Sequence, residues 1–154
     1  MKEISLVKAD LNEENINLFI LIQKSVANPK TFKMGYVNRK EAVKRFKKAE
    51  VLFIKEEDNI VGTLEYQLKD DDYAYLKSIA ILPEFQGRHL CRQSLSILFN
   101  ENLGHISKFS LNTHPKNKAL KLYKSIGFVI EKKIPRNRLL GREPSFFLTL
   151  KRHA

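Results

Sequence analysis

The chain has 154 residues, and its 28 Lys plus Arg against 17 Asp plus Glu give a formal net charge of +11. Residues 1–76 hold 13 basic and 13 acidic side chains, whereas residues 77–154 hold 15 and 4, together with all four histidines. A hydrophobic content of 43% excludes a disordered basic tail, and the few Gly and Pro exclude collagen-like or low-complexity chains. We expect a single domain over residues 1–154.

Neither a membrane segment nor a metal site is expected from the sequence. The longest unbroken apolar stretch, Leu18–Ile22, is too short to span a bilayer, and the first three residues open no signal peptide. One cysteine, Cys91, permits no internal disulfide, and it lacks paired ligand spacing with the histidines. The sequence therefore predicts a cytoplasmic protein without a metal.

The first third of the chain predicts one strand and two helices. Apolar residues recur at helical spacing after the acidic stretch 10–14, so a first helix is expected to run to about Ser25. Asn38, with Glu41 three residues later, resembles the capping box of a second helix. The opening strand is Ile4–Val7, and the basic loop between the helices is Lys30–Val37.

Three strands follow, and short polar turns between them predict an antiparallel meander: Val51–Lys55, Ile60–Leu68 and Tyr73–Leu82. Pro83 stops the third strand, and Gly87 marks a turn into a long helix. A strand at Phe109–Asn112 comes next, and residues 113–115 are expected to open a short helix that Gly127 ends. The last strands, Phe128–Ile134 and Ser145–Lys151, are joined by a basic loop, Pro135–Pro144.

The segment from Ile79 to Arg92 leads a strand through a glycine-containing turn into a helix. Such a turn presents unpaired backbone N–H groups and the positive end of the helix dipole, which suit a phosphate. Arg88 and Arg92 add positive charge there, although an ordinary turn with solvated arginines fits these residues equally well. Tyr123, taken alone, is more typical of a core aromatic than of a catalytic acid.

Together, two segments resemble the signatures of the GNAT superfamily of N-acetyltransferases. Pro83–Gln86 falls into the family frame strand-Pro-x-x-(Gln/Arg)-x-x-Gly-x-(Gly/Ala), and Ala119–Phe128 is similar to the second signature through its Leu-Tyr pair and final Gly-Phe. The resemblance implies an α/β (α+β) fold with a central mixed, mostly antiparallel sheet of six to seven strands flanked by about four helices. His89 and Cys91 depart from the family pattern, which has two small residues at these positions.

The resemblance also implies an acetyl-CoA-dependent N-acetyltransferase that transfers the acetyl group directly to a primary amine of a small molecule or protein. Backbone groups of residues 80–82 would bind the CoA arm and the thioester oxygen, the amides of residues 87–92 would hold the pyrophosphate, and Tyr123 would protonate the CoA sulfur. The implied cofactor-binding residues are Ala80, Ile81, Leu82, Gln86, Gly87, Arg88, His89, Leu90, Cys91, Arg92, Asn112 and Asn117.

The general base is not marked by the family pattern, because residues 75–78, at its usual place, contain no carboxylate. Glu65 or His114 could remove the proton directly or through water. Glu65 is also typical of a plain solvated strand residue. A dedicated base is not required if the acceptor amine has a low pKa or a water chain carries the proton.

Acceptor recognition in the family usually involves the loop between the first two helices and the loop before the last strand. These loops are Pro29–Val37 and Pro135–Pro144, and they carry Lys30, Lys33, Arg136, Arg138 and Arg142. Their charge favours an acidic acceptor over a polyamine. The resemblance is compatible with a homodimer.

Two other functions compete with the enzyme. One is an acyl-CoA-binding or regulatory module of the same fold, in which His89 and the missing carboxylate have weakened catalysis. The other is a nucleic-acid-binding protein, which the sequence disfavours because its basic residues form no dense run and match no nucleic-acid signature.

Overall fold

The computed structural model of the chain describes residues 2–27, 38–138 and 142–152. Its strands are β1 (Ile4–Lys8), β2 (Glu50–Glu56), β3 (Asn59–Asp70), β4 (Tyr73–Ile81), β5 (Lys108–Thr113), β6 (Val129–Asn137) and β7 (Glu143–Lys151). Its helices are α1 (Glu13–Ser25), α2 (Arg39–Lys48), α3 (Leu90–Ile97) and α4 (Ala119–Ile126). A 3₁₀ turn (Pro83–Phe85) precedes α3, and a π-helical turn (Leu98–Asn102) continues it.

One mixed sheet contains all seven strands in the order β1-β2-β3-β4-β5-β7-β6. Every neighbouring pair is antiparallel except β4 and β5, which are parallel. The predicted architecture of six to seven strands flanked by about four helices is confirmed, as is the antiparallel meander. In the described part of the chain, no helix is long and apolar enough to cross a membrane.

Helices α1 and α2 cover one face of the sheet. The Asn38 side chain accepts a hydrogen bond from the Glu41 amide at 2.8 Å, so the predicted cap of α2 is confirmed. Phe19 and Ile22 of α1 are fully buried and pack in one cluster with Val51 and Phe53 of β2. This packing places the carboxyl-terminal end of α1 above β3 and β4.

Helices α3 and α4 cover the other face, over a larger core that includes Leu76, Phe109 and Leu148. The prediction that residues 113–115 open α4 was wrong. The segment after β5 forms a turn instead, because the Asn117 side chain accepts a hydrogen bond from the Ala119 amide at 2.9 Å and α4 begins there. Gly127 ends α4 as predicted, with a positive φ of 123°.

The two predicted basic loops have different outcomes. The predicted loop Pro135–Pro144 is shorter than expected, because β6 continues to Asn137 and β7 already begins at Glu143. Asn137 pairs with Glu143 across the strands and so extends the hairpin. The proline residues and charges of this segment had predicted a loop there instead. The predicted loop Lys30–Val37 lies outside the described residues.

Candidate active site

Strands β4 and β5 separate at the middle of the sheet. Their parallel pairing ends with Leu76 opposite Leu111. Beyond that point, residues 77–81 of β4 pair with β3 alone, and Asn112 and Thr113 of β5 pair with β7 alone, among the strands of the described structure. The backbone edges that face each other across this opening are therefore available to a ligand.

The free edge of β4 leads straight into the start of α3. The chain passes through the 3₁₀ turn, Gly87 at φ 81° and His89 at φ 61° before the helix begins at Leu90. The first helical hydrogen bond joins the Gln93 amide to the His89 carbonyl at 3.0 Å, so the amides of residues 90–92 have no helical partner. Free N–H groups and the helix dipole converge there, as an anion requires.

His89 stands at this helix start with an exposed side chain and a left-handed backbone. Its side chain makes no capping hydrogen bond to α3. A left-handed φ favours glycine, because a β-carbon crowds the backbone there. The position therefore has the backbone of a glycine and the side chain of a histidine.

The polar side chains predicted around the phosphate turn are held by protein groups. Arg88 Nη2 lies 3.0 Å from Oε1 of the buried Glu56, and its guanidinium stacks over the Phe85 ring. Arg92 donates a hydrogen bond to the Ser125 hydroxyl and so bridges α3 to α4. Gln86 Nε2 donates to the Ile81 carbonyl at 2.8 Å. The structure thus brings the backbone amides together, while these three side chains stabilise the turn.

Two residues of this region pack against the core, Leu90 fully buried and Cys91 partly buried. The Leu90 side chain is buried, so only its backbone faces the turn. Burial raises the pKa of the Cys91 thiol to about 12, although the Arg92 charge acts in the opposite direction, so Cys91 stays a neutral thiol at physiological pH.

Tyr123 is buried on α4 with its ring edge-on to Phe128. Burial raises the pKa of its hydroxyl above the ordinary value of 10, and the neighbouring Cys91 raises it further. The phenol is therefore protonated at neutral pH. It can donate a proton, but it is not a phenolate at neutral pH.

Asn112 lies on the face of the sheet that carries α1 and α2, apart from the phosphate turn. Its Nδ2 donates to the Tyr75 hydroxyl at 2.8 Å, and its Oδ1 accepts from the Ser145 hydroxyl at 3.0 Å. This chain of hydrogen bonds crosses β7, β5 and β4 where the parallel pairing stops. The structure thus does not bring the Asn112 side chain to the other predicted cofactor residues.

Glu65 is fully buried on β3, so the interpretation as a solvated strand residue was wrong. Alternation places it on the face under α1 and α2, which a strand pattern alone does not distinguish from the solvent face. Its Oε1 accepts a hydrogen bond from the Ser78 hydroxyl at 2.7 Å, and its Oε2 lies 3.4 Å from Lys77 Nζ. Its role as a base stays a prediction.

His114, the other candidate base, is buried at the end of β5. Its Nδ1 accepts a hydrogen bond from the Lys116 amide at 3.0 Å, so the neutral ring carries its proton on Nε2. That atom lies 3.9 Å from Oε2 of Glu143. The lone pair that a base would use is thus already engaged by the turn after β5.

Sequence reasoning missed the polar residues that meet at the opening on the α1 side: Gln23, Arg45, Thr63, Tyr75 and Ser78. They come from four different elements, and no two form a recognisable motif. The sequence carries no signal for them. Thr63 and Glu65 alternate with apolar residues on β3, which is the pattern of a strand with one solvent-facing side.

Comparisons with known proteins agree with this geometry. Residues 9–128 match the family model described as the acetyltransferase (GNAT) family. The chain belongs to the GNAT acetyltransferase family. The predicted family and enzyme class are therefore confirmed. A search of curated proteins found no match.

Solved structures share the fold of this GNAT acetyltransferase at low sequence identity. The ribosomal-protein-S18-alanine N-acetyltransferase from Escherichia coli is 20% identical, with a TM-score of 0.75 over 99% of this chain and 96% of that one. A GNAT family acetyltransferase from Elizabethkingia anophelis, solved with acetyl-CoA bound, is 17% identical, with a TM-score of 0.72 over 96% and 97%. A spermidine N-acetyltransferase chimera from Vibrio cholerae and hSSAT is 18% identical, with a TM-score of 0.75 over 96% and 95%. As predicted, acetyl-CoA is the co-substrate that this fold accommodates.

The position of His89 generates a prediction for this acetyltransferase. His89→Gly should tighten CoA binding by about 1 kcal/mol, roughly fivefold in Kd, because it removes an exposed side chain from the helix start, where the phosphates would approach the free amides. Titration calorimetry with CoA measures this change. His105→Gly, at another exposed histidine, is the control and should leave Kd unchanged. Weaker binding by His89→Gly would show instead that the imidazole contacts the phosphates.

Proposed function

We propose that the protein transfers the acetyl group of acetyl-CoA directly to a primary amine of a small molecule or protein. The amine nitrogen attacks the thioester carbon, a base takes one N–H proton, the C–S bond breaks, and the departing sulfur takes a proton from an acid. The unpaired edge of β4 over residues 77–81, which ends in the free amides of α3, carries this proposal. One sheet contains the seven described strands, with β1 and β6 at its edges, which supports a single domain over residues 1–154.

Backbone groups would hold the co-substrate along this edge. The pantetheine arm would lie against residues 80–82, at the end of β4 and just beyond it, where an extended ligand can complete missing backbone hydrogen bonds. The pyrophosphate would sit on the amides from Gly87 to Arg92. The Asn117 Oδ1 already accepts the Ala119 amide just before α4, which leaves its Nδ2 group as the donor toward the CoA arm.

Tyr123 is proposed as the acid that protonates the departing sulfur. Burial keeps its hydroxyl protonated, and the side chain projects from α4 into the cluster that also contains Cys91 of α3. A buried neutral phenol is a suitable proton donor to a thiolate that forms in a site shielded from water.

Tyr123→Phe keeps the ring that packs on Phe128 and removes the hydroxyl. We expect kcat to fall by roughly a hundredfold, the usual contribution of a general acid, while the Kd for CoA stays within about twofold. Thiol release measures the first and calorimetry the second.

Tyr66→Phe, at a half-buried tyrosine of β3, is the matched control and should retain activity. The raised pKa of Tyr123 also means that the wild-type rate should not fall through loss of this proton below about pH 10. Full activity of Tyr123→Phe would refute the acid role.

Glu65 is proposed as the base, acting through water or through the Ser78 hydroxyl that donates to its Oε1. The carboxylate itself is fully buried, so a proton can reach it only through such a bridge. Ser78 is half-buried and lies on the free part of β4, so it can face both Glu65 and the opening.

Glu65→Gln should lower kcat by roughly a hundredfold, because the amide cannot accept a proton, while the Kd for CoA stays within about twofold. Thiol release at saturating acetyl-CoA measures the first and calorimetry the second. Glu50→Gln, at a partly exposed carboxylate of β2, is the control. A kcat within about twofold of wild type in Glu65→Gln would contradict the base role.

The acceptor is proposed to carry acidic groups close to its amine. Arg136, Arg138 and Arg142 are exposed around the end of the β6–β7 hairpin, and the chain as a whole carries a net charge of +11. Relatives of this fold act on acceptors as different as a ribosomal protein and spermidine, so charge is the property that the chain itself offers for a choice.

Peptides that differ only by Asp or Lys next to the N-terminal amine, together with spermidine, test this choice. We expect kcat/KM to favour the Asp peptide by about tenfold at low salt and to lose this preference as salt rises. Arg136→Gln and Arg138→Gln should reduce the preference without changing CoA binding. Faster turnover of spermidine would overturn the proposal.

The alternative, an acyl-CoA-binding module without catalysis, is favoured by the side chain of His89 at the helix start. Binding of acetyl-CoA without thiol release over the same acceptors would identify that case.

A further inference from the structure

Strand β4 contains a bulge at the point where it leaves β5. Lys77 pairs with Glu65 and Ala80 pairs with Thr63, so Ser78 and Ile79 together face the single residue Leu64. Ser78 adopts a left-handed φ of 56°. A left-handed serine costs free energy and persists only where its surroundings determine it.

The carbonyl of Ser78 is held by two buried side chains. The Thr63 hydroxyl donates to it at 2.7 Å, and Gln23 Nε2 lies 3.4 Å from it. Gln23 Nε2 also donates to the Thr63 hydroxyl at 2.7 Å. Gln23 and Thr63 are almost fully buried, so α1 and β3 fix the direction of this peptide group from inside the protein.

The hydroxyl of Ser78 is hydrogen-bonded by two further side chains. It accepts a hydrogen bond from Arg45 Nη1 at 3.0 Å and donates one to Glu65 Oε1 at 2.7 Å. We call the four side chains that contact Ser78, namely Gln23, Arg45, Thr63 and Glu65, the bulge clamp. They come from α1, α2 and β3, so both helices on this face of the sheet and the neighbouring strand contact Ser78.

Beyond the bulge, β4 is also fixed against β3. A β-carbon added to Gly62 would lie 2.3 Å from the Ala80 carbonyl oxygen, so the two backbones approach as closely as glycine permits. The free edge at residues 79–81 therefore has the bulge clamp at one end and this contact behind it. The Ala80 carbonyl faces Gly62 and the Ile81 carbonyl accepts a hydrogen bond from Gln86 Nε2, so the peptide groups of this segment have little freedom to turn.

Buried polar groups do not stabilise a fold better than apolar packing would, but a connected set of them specifies one conformation. In the bulge clamp, Arg45 Nε and Glu65 Oε2 make no hydrogen bond and have ion-pair partners instead, Glu41 at 3.5 Å and Lys77 at 3.4 Å. The conformation specified here is the one that turns β4 away from β5. We infer that Gln23, Thr63 and Arg45 of the bulge clamp are positioning residues that aim the free amides of β4 at the thioester oxygen. This inference rests on the proposed acetyl transfer and extends it to side chains that do not touch the ligand.

Thr63→Val tests the bulge clamp, because valine keeps the shape of threonine and removes the hydroxyl that Ser78 and Gln23 both use. We expect kcat for acetyl-CoA to fall about tenfold, as for a displaced oxyanion donor, while the Kd for CoA, which lacks the thioester oxygen, changes by less than about twofold. The assay is thiol release from acetyl-CoA to water and to the best peptide acceptor. Hydrogen exchange at the amides of residues 79–81 should become faster.

Two variants serve as controls. Thr63→Ser restores the hydroxyl and should recover kcat and slow exchange. Thr149→Val removes a buried hydroxyl from β7, away from Ser78, and should leave both unchanged. If Thr63→Val does not fold, Gln23→Met removes one of the two donors and is judged by the same split between kcat and Kd.

Three results would overturn the inference: a kcat within twofold of wild type in Thr63→Val with unchanged exchange, an equal loss in Thr149→Val, or a rise in the Kd for CoA that accounts for the loss of activity. Failure of the proposed function is distinguishable. In that case the wild type releases no thiol with any acceptor, whereas the exchange rates still report whether Thr63 holds the free edge.

Discussion

The structure depends on one interruption in its sheet. Parallel hydrogen bonding between β4 and β5 ends after Leu76 and Leu111, although both strands continue. A continuous sheet would have satisfied these backbone groups and left no place for an extended ligand. The bulge at Ser78, the 3₁₀ turn and the start of α3 follow within about one dozen residues of the chain, so the fold concentrates its unpaired donors along one line.

Electrostatics in this region act mainly between protein groups. The side chain of Arg88 compensates the buried Glu56, and Lys77 compensates the buried Glu65. Each pair joins a half-exposed cation to a carboxylate that would be costly to bury alone. The cationic excess of the second half of the chain therefore does not all face the phosphate turn, and the exposed arginines of the β6–β7 hairpin remain as charge directed at solvent.

The parts of the fold that depend on local chemistry could be predicted from the sequence. The cap at Asn38, the stop at Gly127 and the three-stranded meander depend on near neighbours, and each was confirmed. The family signatures likewise lie within short segments. The turn after β5 was misread because Asn117, rather than the proline, determines where α4 begins.

The rest of the site could not be predicted because it depends on residues that are distant in sequence. The residues near Glu65 in the sequence do not indicate that α1 and α2 bury it. Position 78 is a serine and not a glycine, so the sequence does not indicate its left-handed backbone. Gln23 and Thr63 are 40 positions apart and meet only in the folded chain. Positions of backbone groups were therefore easier to predict than the partners of side chains.

The hydrogen bonds that link Ser145, Asn112 and Tyr75 restrain how far the strands of the sheet can separate. It joins β7, β5 and β4 at the level where main-chain pairing between β4 and β5 gives way. These side chains thus join the strands at the inner end of the opening between β4 and β5. They oppose separation of the β4–β5 pairs that lie between this level and Tyr73–Lys108. An extended ligand that enters between the strands would therefore meet its inner limit at this level, where the Leu76–Leu111 pairing begins.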